Sequence, residues 1–144
     1  MSQSSFHIVV IDDDRVNNML CTSVIKNTTG GLLPLCYTNP VEGLKYFEHE
    51  YPYTKLNVPT IVFLDINMPE MSGWEWLHKF EQLPQTIKQH IVIYMLSSSV
   101  SRKDIDLASS NTYVTAYIPK PLKKEKVLEI LHSHHLVKKD EGKD

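Results

Sequence analysis

The sequence predicts an α/β fold, a doubly wound parallel sheet of five strands with five helices packed on its two faces. Two observations carry this expectation. Short apolar, β-branched runs alternate with helical patterns five times, the signature of a parallel sheet joined by right-handed crossovers. Three of those runs also stop abruptly at a polar or charged residue: Ile11 is followed by Asp12, Leu64 by Asp65, and Leu96 by Ser97. In an open parallel sheet all such strand ends share one rim, where ligands bind.

Each element has its own warrant. Phe6 to Ile11 is a buried first strand, followed by Asp12, Asp13 and Asp14. From Arg15 to about Thr28 the pattern is helical, with Val16, Met19, Leu20, Val24 and Ile25 on one stripe. Asp14 suits the cap of that helix, and Gly30-Gly31 ends it. Leu32 to Tyr37 reads as the second strand. Pro40 to Glu50 reads as a helix with Val41, Leu44 and Phe47 facing in, its proline suited to the first turn. Tyr51 to Pro59 reads as a polar connector. Ile61 to Leu64 is the third strand, and Met68-Pro69 breaks it. Ser72-Gly73 restarts the chain as a third helix, from Trp74 to about Leu83, with Trp76, Leu77 and Phe80 on one side. His90 to Leu96 is the fourth strand. Ser101 to Ser110 is the fourth helix, with Ser101 and Asp104 spaced as a cap. Thr115 to Ile118 is the fifth strand. Leu122 to about His135 is the last helix, with Val127, Leu128, Ile130 and Leu131 inward. The tail 138–144 is charged and expected to fray.

Composition narrows the class. The chain has 144 residues, 42% hydrophobic and 22% charged, which suits one ordinary globular domain over 1–144 with a core at about 6–135. A net charge of −2 gives no overall field toward nucleic acid or anionic lipid. No run approaches the ~20 apolar residues of a membrane span, and no signal-like segment opens the chain. A cytoplasmic protein is expected. The 2 cysteines, Cys21 and Cys36, are expected to be reduced packing residues. The histidines His132, His134 and His135 near the last helix end read as dipole-favoured rather than metal-binding.

The rim carries the chemistry. Asp12 and Asp13, Asp65, Ser97, and Lys120 just past the fifth strand must converge if the sheet is parallel. Clustered carboxylates repel unless a cation intervenes. Hard oxygen donors with few protein contacts suit Mg²⁺, which keeps several waters and favours phosphate. Three negative charges would then face three positive ones from the metal and Lys120, a pocket poised for one more anion. A phosphoryl group would meet the metal, the ammonium and the hydroxyl, with Asp65 as nucleophile.

These motifs together resemble the receiver domain of two-component response regulators: I-D-D-D at 11–14, F-L-D-I-N-M-P-E-M-S-G-W at 63–74, M-L-S-S-S at 95–99 and Y-I-P-K-P at 117–121. The resemblance runs from about Phe6 to His135. It implies a flavodoxin-like sheet of order 2-1-3-4-5. It implies that Asp12 and Asp13 form the acidic metal pair, that Asp65 accepts the phosphoryl group as an aspartyl phosphate, and that Asn67 lends a backbone carbonyl to Mg²⁺. It places Ser97 on the phosphoryl group, Lys120 beside it, and Tyr117 at an aromatic switch position. It implies a cis bond at Lys120-Pro121, and a sensor histidine kinase or histidine phosphotransfer protein as donor. The resemblance makes the chain a signalling switch rather than an enzyme with turnover, acting only on its own phosphorylation. Only one helix and a tail follow Pro121, so a stand-alone receiver, chemotaxis-regulator-like, without a DNA-binding output domain is expected; its downstream protein target is not legible. Two departures stand out. Asn111-Thr112 occupies a turn where many receivers carry glycine, and Pro119 lies in a strand, which only an edge strand tolerates.

Other readings fit less well. A phosphate-independent docking module would not need the full acid set. Haloacid-dehalogenase phosphatases need a second aspartate two residues after the nucleophile, and Asn67 stands there. A flavin carrier needs a phosphate-cradling first loop, which here is acidic, and no G-x-G-x-x-G supports a dinucleotide fold.

Overall fold

In the computed structural model, residues 5–98 and 101–137 are described. Five parallel strands form one sheet in the order β2-β1-β3-β4-β5: β1 His7–Ile11, β2 Leu35–Tyr37, β3 Thr60–Asp65, β4 Ile91–Ser97 and β5 Val114–Pro119. The strands at the centre are buried on both faces, β3 along its whole length. That is why they read as continuous apolar runs rather than alternating ones. The helices are α1 Arg15–Thr29, α2 Pro40–Lys45, α3 Tyr51–Thr54, α4 Gly73–Phe80, α5 Gln85–Lys88, α6 Arg102–Ser110 and α7 Lys124–Ser133.

Two cores flank the sheet. One is aromatic: Phe47, Tyr51, Trp76 and Phe80 are buried together under β1, β3 and β4, with Trp76 stacked on Phe80 at 5.4 Å between centroids. The other is mainly aliphatic: Ile8, Val10, Ile25, Ile61, Val127 and Leu131 pack between the sheet and α1 and α7.

Several expectations are corrected. The stripe proposed for α1 holds only in its second half: Ile25 is buried and Val24 packs against the same core, but Val16, Met19 and Leu20 are 63%, 70% and 52% exposed, and Asn17, Asn18 and Cys21 are buried instead. Apolar spacing alone could not choose between two neighbouring stripes of one helix. Val41 is likewise exposed, whereas Leu44 and Phe47 are buried. The segment Tyr51 to Pro59 is not simply a polar connector. The chain passes from α2 through a π-helical turn, Tyr46–Glu50, into α3. Tyr51 is fully buried, with its hydroxyl 3.2 Å from Thr60 Oγ1. The second strand is shorter than expected, and α5 follows α4 where no helix was expected. Leu122 precedes the last helix, which starts at Lys124. Asn111 keeps a negative φ; its Oδ1 instead accepts the Tyr113 N–H at 2.8 Å, so the turn needs no left-handed residue. Pro119 ends β5, which is an edge strand as required. The Lys120-Pro121 bond is cis. The fraying expected of the tail from Lys138 falls outside the described residues.

Candidate functional site

The site is built where three neighbouring strands end. Pairing puts Ile11 beside Leu64 and Asp65 beside Leu96. Asp12 therefore leaves β1 beside the end of β3, and Ser97 lies one residue past the partner of Asp65. The fifth strand brings Lys120 up against them: its backbone N–H donates to the Ser97 carbonyl at 2.9 Å. No side chain has to reach far because the sheet register has already aligned the ends.

Each acid at the end of β1 has a separate setting. Asp12 is buried. Its Oδ1 accepts the Asp14 N–H at 2.9 Å, and its Oδ2 accepts from Asn17 Nδ2 and from Lys120 Nζ, both at 2.7 Å. Asp13 is exposed. It lines an open cleft with Thr38, Asn39, Pro69 and Glu70. Asp14 caps α1, accepting from the Val16 and Asn17 N–H groups. The sequence already assigned Asp14 to the cap rather than the site.

Asp65 is 4% exposed and sits 3.3 Å from Lys120 Nζ. Burial, and next the charge of Asp12, push its carboxyl up to about 6, against the pull of Lys120. For Lys120, burial acts to weaken the ammonium, but the hydrogen bond and charge of Asp12 outweigh it and the pKa is raised. Lysine is thus a fixed cation bridging two buried carboxylates. One carboxylate oxygen each from Asp12, Asp13 and Asp65 lie within 4.8 Å of one another. That donor set fits Mg²⁺: hard anionic oxygens, few of them, with an exposed side at Asp13 for the waters this ion keeps.

The helix after β3 is anchored close to Asp65. Ser72 and Glu75 form a reciprocal capping box, and the Gly73 N–H donates to the Ile66 carbonyl at 2.8 Å. A Cβ at Gly73 would lie 2.6 Å from the Asp65 carbonyl oxygen and 2.8 Å from Met95 Cε, so only glycine lets α4 start this near the aspartate. Trp74, half-buried, donates from Nε1 to Asp104 Oδ1 at 3.0 Å and so ties this loop to α6.

Every residue expected at the rim is accounted for. Asp12, Asp13, Asp65 and Lys120 meet in one cluster. Ser97 is buried at the end of β4, next to them in register. Asn67 is exposed on the loop two residues past Asp65. Tyr117 is half-buried on β5 and packs against the aromatic core. The sequence reading missed Asn17 and Asn18. Asn18 Nδ2 donates to the Asp12 carbonyl at 2.9 Å, so two buried amides hold one aspartate. The available signal was a pair of asparagines, poor helix formers, just inside a helix. Cys21 and Cys36 are both free thiols. Cys21 is held up to about 12, chiefly by burial, and is inert.

The comparisons with known proteins agree with this geometry. The chain belongs to the response regulator receiver domain family, whose model matches residues 8–132. Receiver domains are signalling modules of two-component systems, and the family binds Mg²⁺ at an acidic pocket. A two-component response regulator from Cytophaga hutchinsonii superposes with a TM-score of 0.81 at 27% identity, covering 91% of this chain and 97% of that one. CheY of Borrelia burgdorferi, in a complex with CheX, BeF₃ and Mg²⁺, superposes at 0.67 with 23% identity, covering 90% and 89%. Protein-glutamate methylesterase/protein-glutamine glutaminase 3 of Shewanella oneidensis is 31% identical over 72 residues, which is 50% of this chain and 18% of that protein. The chain therefore spans under a fifth of that relative's length. Among the described residues no helix is long and apolar enough to cross a membrane.

Proposed function

We propose that this chain is a phosphorylatable switch. Asp65 accepts a phosphoryl group from the phosphohistidine of a sensor histidine kinase or a histidine phosphotransfer protein. The observation that carries this reading is the lysine bridge between two buried acids, Lys120 Nζ at 2.7 Å from Asp12 and 3.3 Å from Asp65, beside a third carboxylate. A cation held between two buried acids is a ready partner for the oxygens of an incoming phosphoryl group.

In the transfer, an Asp65 carboxylate oxygen forms a P–O bond while the P–N bond of the donor breaks, and the donor, its other ring nitrogen already protonated, leaves as neutral imidazole. Asp12, Asp13, the Asp65 carboxylate and the Asn67 backbone carbonyl are the residues that would hold Mg²⁺. Bound there, Mg²⁺ supplies charge that offsets the acids and the phosphoryl oxygens. Lys120 turns from Asp12 toward the new phosphoryl group, and the Ser97 hydroxyl donates to it. Tyr117, half-buried beside β4, then changes its packing, which alters the surface of α6, β5 and α7. The new phosphoryl contacts thereby bias a two-state equilibrium. The reaction is the chain's own phosphorylation and dephosphorylation, not turnover of a separate substrate. The Borrelia neighbour bound to a partner with BeF₃ and Mg²⁺ supports the same use of the fold. The exposed apolar residues Val16, Met19 and Leu20, on the helix that starts beside Asp12, support a protein rather than a small molecule as natural donor. The output is binding of a downstream protein by a receiver domain in the cytoplasm, rather than contact with nucleic acid or membrane.

The test is incubation with a small acyl phosphate and Mg²⁺, read by intact-protein mass. The wild-type chain should gain one phosphoryl group with Mg²⁺, and should fail to gain it when EDTA replaces Mg²⁺ before the donor is added or in the Asp65→Asn variant. Equal labelling of Asp65→Asn would remove Asp65 as the acceptor.

A further inference from the structure

Asp12 meets two donors on one oxygen. Asn17 Nδ2 and Lys120 Nζ both stand 2.7 Å from Oδ2, while Oδ1 accepts the Asp14 N–H. Asn17 is itself fixed: it is buried, its backbone N–H reaches the Asp14 cap at 3.3 Å, and its Nδ2 also lies 3.6 Å from Cys21 Sγ one turn further along α1. Lysine is the shared partner of the two, since the same ammonium also serves Asp65. A carboxylate that loses its lysine to a phosphoryl group needs another donor, or it will turn or compete to win the lysine back.

We infer that Asn17 is a positioning residue that holds the Asp12 carboxylate in register for the metal and frees Lys120 to turn to the phosphoryl group. The inference rests on the switch reading above. Asn17 touches neither the metal nor the phosphoryl group; it acts through Asp12. Groups that orient a metal-binding carboxylate from behind change metal affinity on the order of 10–100-fold when removed.

The experiment is calorimetric titration of the full chain with Mg²⁺, and with beryllofluoride at saturating Mg²⁺. Asn17→Ala should weaken both by about tenfold or more. In an Asp12→Ala background the same substitution should change either affinity by less than about twofold, because the side chain it positions is gone. Asn17→Leu, which keeps the volume and removes the donor, should match Asn17→Ala and serves where the alanine variant does not fold. A merely structural role predicts a lower thermal midpoint with Mg²⁺ affinity intact, and that result overturns the inference. So does an equal loss in both backgrounds. If the wild type itself bound neither Mg²⁺ nor beryllofluoride, the switch reading would fall instead, so the two failures are distinct.

Discussion

Helices α1 and α4 leave the same rim, each the first helix after an aspartate of the site, yet they bury opposite chemistry. Helix α4 buries Trp76, Leu77 and Phe80 and exposes His78 and Lys79. Helix α1 buries Asn17 and Asn18 in its first turns and turns Val16, Met19 and Leu20 outward. Helix α4 is held by its core, as amphipathic helices ordinarily are. The N-terminal half of α1 is held by the site: its amides grip Asp12, and only from Cys21 and Ile25 onward does it join the aliphatic core. Stability and function are thus concentrated on different helices of one rim.

The comparison breaks most sharply at Trp76. Its ring is fully buried against Phe47 and Phe80, and its Nε1 donates to the Pro40 carbonyl at 3.1 Å. Trp76→Ala removes that volume and leaves a buried carbonyl without its donor, and is expected to cost about 3–5 kcal/mol. Urea unfolding of the two proteins checks it. A cost under about 1 kcal/mol would mean that α4 is not the structural partner of the pair.

A smaller effect comes from Asp65, where the two junctions oppose each other. Its carboxyl is raised from 3.8 to about 6, by burial first and by Asp12 second. The folded state therefore binds this proton more tightly than the unfolded chain. The associated stability is fully present below about pH 4 and is lost as pH rises through about 6. Without metal, the wild type is expected to forfeit about 1–3 kcal/mol across that window, and Asp65→Asn to be spared the loss. The variant should be the more stable protein at pH 7.5, the two should converge near pH 4, and Mg²⁺ should narrow the gap at pH 7.5. Denaturant midpoints at the two pH values decide it; a gap that persists at pH 4 points to packing rather than charge.

The contrast also explains what the sequence could and could not reveal. The strand ends were readable because apolar runs stop at Asp12, Asp65 and Ser97, and parallel order then forces convergence. Helix α4 was readable because Ser72-Gly73 and the spacing of Trp76, Leu77 and Phe80 agree; the structure adds the reciprocal cap from Glu75. On α1 the same spacing rule placed Ile25 and Val24 correctly but chose the wrong side in the first turns. Val16, Met19 and Leu20 form a valid apolar stripe, and nothing local says that two asparagines lie inward instead. Only the contact with Asp12, made in three dimensions, reverses the sides. Tyr51 was hidden for a related reason: one fully buried ring in an otherwise polar stretch has no periodicity to announce it, and its partner Thr60 is on another element.

The smallest expected change in stability is at the outward face of α1. Met19 and Leu20 are 70% and 52% exposed, so exchanging both for glutamine removes little buried area. Glutamine is also nearly as good a helix former as leucine or methionine. The doubly substituted chain should keep its unfolding free energy within about 1 kcal/mol of the wild type. It should also take a phosphoryl group from a small acyl phosphate at the wild-type rate, because the rim itself is untouched. Transfer from a phosphorylated histidine phosphotransfer protein should slow, because that donor has to cover the helix beginning next to Asp12 in order to reach Asp65. The ratio of the two rates is the informative number, since a damaged site lowers both together. A loss of several kcal/mol would show that these side chains are packed in solution, and equal slowing with both donors would move the docking face elsewhere.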